Sequence, residues 1–93
     1  MSGHIVVEKG EAGRRVRLEA LALGEDWNVS ITGGDRPHIG AAALGVPYRK
    51  PDGSWSACAS VFALPTHKED GLAQKAAQHL ARETGHIVAV SCG

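Results

Sequence analysis

The sequence lacks net charge: ten Lys and Arg balance ten Asp and Glu over 93 residues. A chain neutral overall gives no electrostatic case for nucleic acid or an anionic membrane as its main partner, so any anion site has to be local. No run approaches the roughly twenty apolar residues of a membrane span, and the N-terminus has no apolar signal core. A cytoplasmic protein is the expectation. Only two cysteines are present, Cys58 and Cys92, without C-x-x-C spacing. That argues against a zinc or redox motif and against a disulfide scaffold, and leaves two small buried or half-buried thiols. There is no H-x-x-x-H or H-E-x-x-H helix for a metal and no G-x-S-x-G nucleophile elbow. The glycine pair Gly33-Gly34 is no Rossmann or P-loop fingerprint, because no helix follows it at the required spacing. With no repeat, low-complexity tract or composition shift, residues 1–93 form one small domain whose modest core gains from oligomerisation.

What is present reads as strands, then a helix, then a strand. Ile5-Val6-Val7 is short and β-branched, suited to a first edge strand. From Arg14 to Leu23, Val16, Leu18, Ala20 and Ala22 alternate with Arg15, Arg17, Glu19 and Leu21, the period of a half-buried strand. Gly24-Glu25-Asp26 supplies a turn, after which Trp27, Val29 and Ile31 resume the alternation. Ile39 to Leu44 is a run of small residues, suited either to tight packing or to a shelf for a flat ligand, and packing is favoured. Pro51-Asp52-Gly53 marks an exposed hairpin tip, with Arg49 and Lys50 read as solvated cations. Ser56 to Leu64 is another strand, closed by Pro65. Thr66-His67-Lys68-Glu69 has the form of a capping box and predicts a helix start at Thr66. Leu72, Ala76 and Leu80, with Ala73, Ala77 and Ala81, make the apolar stripe of that helix. Gly85 ends it, and His86 to Val90 leads into a last strand. The expected fold is α+β, a two-layer sandwich with a mostly antiparallel sheet of five or six strands and one main helix. The uncovered sheet face or edge offers a surface for a second copy, and a dimer interface is a natural place for a flat cofactor.

The stretch Ile31 to Gly45 holds the residues best suited to a ligand. Gly33 and Gly34 leave room for a ligand to approach main-chain N–H groups, Arg36 is a planar cation suited to phosphate, and His38 follows Pro37 at the mouth of an apolar run. The same Gly, Asp and Pro also suit an ordinary hairpin connection. Asp35, His38 and His67 are the only cluster with the chemistry of a site. On residues alone, a small binding domain is favoured over an enzyme.

"ITGGDRPHIGAAALG", with "SVFALPTHKEDGLAQKAAQHLARETG" downstream, resembles the small prenylated-flavin chaperone family encoded beside gallate-type decarboxylases. The resemblance runs from about Arg14 to the C-terminus, and Arg36 to Gly40 and His67 to Asp70 are its most specific pieces. It implies a non-catalytic protein that receives reduced prenylated FMN, or FMN itself, from the flavin prenyltransferase and holds it for an apo-decarboxylase. Gly34, Arg36 and His38 match the first motif, and His67, Lys68 and Glu69 the second. Arg36 and the N–H groups of Gly33 and Gly34 are expected at the phosphate, joined by Lys68 at the helix start. His38 and His67 are expected at the flavin or at a divalent metal. A homodimer is expected, with no nucleic acid or membrane partner. The family pattern continues past the last strand whereas this chain ends at Gly93, leaving one pocket wall open or to the second subunit. The alternatives are a small metal-dependent enzyme, with His38 and His67 as base or ligands, and a structural subunit of a decarboxylase complex.

Overall fold

The computed structural model describes residues 3–11, 14–34, 36–63 and 70–93. In chain order the elements are β1 (His4–Lys9), β2 (Val16–Leu23), β3 (Asp26–Gly33), β4 (Ala41–Arg49), β5 (Trp55–Ala63), α1 (Asp70–Thr84) and β6 (Val88–Cys92). The strands form one mixed sheet in the order β1-β2-β3-β6-β4-β5, with α1 on one face. Only β3 and β6 run parallel, Val29 lying opposite Val90; the other neighbours are antiparallel. This is the α+β sandwich that the alternating pattern predicts.

The hydrophobic core is small because α1 lies close to the sheet. Ala73, Ala77 and Ala81 are wholly buried, and the largest fully buried side chains are Val88, Val90 and Cys92. Gly45 of β4 sets the distance: a Cβ there would collide with the Ala77 carbonyl oxygen. The alanine run Ala41 to Ala43 accordingly serves packing, with Ala41 and Ala43 buried in the core cluster that contains the helix alanines. The apolar stripe of α1 is narrower than its spacing predicts, since Leu72 is 53% exposed. Gly85, at φ +71°, follows the helix and donates its N–H to the Ala81 carbonyl.

β4 runs past the small-residue stretch, through Pro47 to Arg49. Proline fits there because β6 ends opposite Gly45, so the missing N–H of Pro47 faces no neighbouring strand. The hairpin tip is confined to Lys50–Ser54, where the Asp52 carboxylate accepts from the Ser54 hydroxyl (2.6 Å) and N–H (2.9 Å). The Thr66 to Glu69 capping box lies outside the described residues. Neither cysteine forms a disulfide; Cys92 is buried, but Cys58 is exposed because its position on β5 faces away from α1.

α1 packs on β4, β5 and β6. A helix about 10 Å wide cannot cover a six-stranded sheet about 24 Å across. The β1–β3 half of the same face therefore has no helix over it among the described residues, and it is apolar.

Candidate functional site

The step between α1 and the bare half of the sheet is a trough. One part, about 240 Å3, is lined by Ile5, Leu18, Ala20, Trp27, Val29, Leu80, Thr84 and Val88. A second depression of about 200 Å3 continues it, lined by Val16, Ile31, Thr32, Gly33, Leu72, Cys92 and Gly93. Both parts share β2, β3 and α1. From Trp27 to Gly33 the floor strand rises about 20 Å, and from Leu72 to Thr84 the helix covers about 18 Å, so wall and floor match in length. Alternation on β2 and β3 explains the lining, because Val16, Leu18, Ala20, Trp27, Val29 and Ile31 all fall on the helix side. Such a strip suits a flat apolar ring system.

The loop after β3 is anchored at the Gly33 end of the trough. Gly33 N–H donates to Gly93 O (3.1 Å), Gly34 N–H to Arg15 O (3.3 Å), Gly40 N–H to Cys92 O (2.7 Å) and Gly93 N–H to Ile31 O (3.0 Å). The N–H groups of Gly33 and Gly34, offered to a phosphate by the sequence, are thus donated within the fold. What Gly34 contributes is shape: its φ is +75°, and a Cβ would meet nothing within 4 Å. Arg36 is exposed and makes no ion pair among the described residues. His38 is exposed, and its Nδ1–H donates to the Arg36 carbonyl at 3.0 Å.

The helix start shares this end. Leu72, in the first turn of α1, lines the same depression as Gly33, and the positive end of the helix dipole lies there. Of the residues expected at the site, Gly33, Gly34, Arg36 and His38 belong to this end of the sheet. Asp35, His67, Lys68 and Glu69 lie outside the described residues. No group of three or more potential metal ligands occurs among the described residues.

The opposite sheet face carries different chemistry. Over β1 and β2, Arg17 donates to Glu8 (3.2 Å) and Glu19 (3.3 Å), and His4 pairs with Glu19 at 2.7 Å. The hydrogen bond from His4, aided by Arg17, holds the Glu19 carboxyl below its ordinary pKa. These contacts are exposed, on a solvated surface.

Sequence reasoning missed the trough itself. The signal was available: one helix with an alanine stripe cannot roof six strands, so alternating apolar residues on the first three must line an open step. No helix of the described residues is long and apolar enough to cross a membrane. A comparison with curated proteins found no match. The family model of the prenylated flavin chaperone LpdD-like domain matches residues 10–93, nearly the whole length over which this sheet and helix are built, and the chain belongs to that family.

Proposed function

We propose that this chain is a non-catalytic, cytoplasmic carrier of reduced prenylated FMN, receiving it from the flavin prenyltransferase and handing it to an apo-decarboxylase as a homodimer. The observation that carries the reading is the apolar trough, open along one side and ending at the loop of Arg36, which makes no ion pair among the described residues. In this reading the ring system lies over Val29 and Trp27 against Leu80. The phosphate lies beyond Gly33, with Arg36 and the positive end of α1 beside it and Lys68 assigned to the same anion. Val29 and Gly33 are about 13 Å apart along β3, which leaves room for a ribityl chain between ring and phosphate. Gly33 and Gly34 keep the path free of side chains. Glu69 is assigned to the cofactor, and His38 and His67 to the flavin or to a divalent metal that would bind with it. A trough open to solvent holds a ligand without burying it wholly, which suits release to a second protein.

The test is anaerobic incubation with reduced prenylated FMN, followed by gel filtration with absorption and mass detection. Flavin co-eluting unchanged with the protein, and then activating an apo-decarboxylase, is the expected result. Flavin that elutes free, or that is chemically converted, overturns the reading.

A further inference from the structure

We propose that two copies of this chain pair edge to edge through β5, antiparallel about a twofold axis at Ala59, joining two six-stranded sheets into one of twelve. The inference rests on the homodimer proposed above and names its surface; it does not depend on the flavin.

β5 pairs only with β4, and its outer edge has no strand against it, among the described residues. That edge is nine residues, about 30 Å, long. Exposed edges are normally blunted by charge, proline, a bulge or shortness. The β5 sequence WSACASVFA contains no charged residue and no proline. The other edge strand, β1, is six residues long and carries His4, Glu8 and Lys9. One edge is guarded, and the other is not.

The register identifies the outward groups. Lys50 N–H donates to Ser54 O at 2.8 Å, so that pair is a hydrogen-bonded one. Alternation from it turns Ser56, Cys58, Ser60 and Phe62 inward to β4 and leaves Trp55, Ala57, Ala59, Val61 and Ala63 presenting N–H and C=O outward. Pro47, opposite Ala57, agrees with this phase, since it has no N–H to give β5. A twofold axis at Ala59 places every outward residue opposite another outward residue, Trp55 facing Ala63 of the partner subunit and Ala57 facing Val61 of the partner subunit. An antiparallel edge is self-complementary under such an axis.

Side chains near the axis are small, and Phe62, 78% exposed, crosses the seam to cover Ser56 of the partner subunit. The edge, about 30 Å long and as deep as the 19 Å thickness of the molecule, offers on the order of 600 Å2 per partner in projection, near the roughly 800 Å2 of a standard interface. The strand's lack of charge means that like charges do not meet. The trough lies across the sheet from β5, so both copies keep it accessible.

Sedimentation and light scattering should find the wild-type protein at twice its 9.7 kDa mass. Ala59→Pro deletes an outward N–H without touching the β4 ladder, and Cys58→Lys places two cations near the axis. Each should weaken the dimer at least tenfold while circular dichroism stays native. Ser60→Cys brings a second thiol opposite the native Cys58 across the seam in a non-hydrogen-bonded pair, a spacing a disulfide spans; mild oxidation should give a covalent dimer. Should Ala59→Pro fail to fold, Cys58→Lys and the cross-link read the same surface. A dimer indifferent to both substitutions and yielding no cross-link overturns β5 as the interface and leaves the homodimer standing. A wild-type chain that stays monomeric at 100-fold the concentration used for flavin binding overturns both.

Discussion

Gly45→Ala strikes the molecule where α1 lies nearest β4. The added Cβ would collide with the Ala77 carbonyl oxygen, lie 2.6 Å from the Ala77 carbonyl carbon and 3.1 Å from the Ala81 Cβ. Carbon atoms pack at about 3.5–4.0 Å, so α1 must lift by about 1 Å. The obstruction is helix backbone, which has no rotamer to escape into. Overpacking of this kind costs about 1–3 kcal/mol, and the backbone contact places it at the upper end. Alanine is better than glycine in a strand by roughly 0.5–1 kcal/mol, which offsets part of that. The net loss is about 2 kcal/mol, and in a domain of this size it lowers Tm by roughly 8–16 °C. Urea unfolding followed by circular dichroism is the assay, and the midpoint should fall with the slope unchanged. Because α1 is one wall of the trough, flavin retention should fall as well. An alanine variant as stable as the parent, or more so, would refute the seating of α1 on β4.

Two further outcomes follow from single side chains. Arg36→Ala should weaken flavin retention by the roughly 1.5–3 kcal/mol of a hydrogen bond to a charged group, one to two orders of magnitude in affinity; unchanged affinity in an anaerobic titration removes Arg36 from the site. The Ser54 hydroxyl, followed by its N–H, holds the Asp52 carboxyl below its ordinary 3.8. A depressed carboxyl stabilises the folded state above that ordinary value and loses its contribution as pH falls through the lower folded value. An NMR titration of Asp52 with a midpoint at or above 3.8 would show that the hairpin tip lacks these bonds.

The fold was legible because each strand of this chain carries its own period. Alternation over Val16 to Ala22 and Trp27 to Ile31 fixed which side chains share a face, and the Ala73, Ala77 and Ala81 spacing fixed the helix stripe. The insertion of β6 between β3 and β4 was not legible, since nothing local to Val88–Cys92 states which neighbours it takes. That β4 continues through Pro47 was not legible, because proline is excluded only where its N–H has a partner, and that depends on where β6 ends. Of the candidate site, Arg36 and His38 stood out by residue type, whereas the trough did not. Its lining mixes core residues such as Val29 and Val88 with half-exposed ones such as Ile5 and Leu72, and they line a trough only because one narrow helix leaves three strands bare. The use of the Gly33 and Gly34 N–H groups was hidden for the same reason, since their acceptors, Gly93 and Arg15, are distant or unpredictable in sequence.

Placing the ligand in the trough is tested most directly by anaerobic titration of reduced prenylated FMN against the wild type, Ile5→Glu and Leu72→Glu. Ile5 and Leu72 line the two parts of the trough and are 49% and 53% exposed, so a carboxylate at either leaves the fold intact while facing the ligand. Binding at least tenfold weaker in both variants, with unfolding curves matching the wild type, is the predicted result. Affinity equal to the wild type in both would contradict it and place the flavin elsewhere on the molecule.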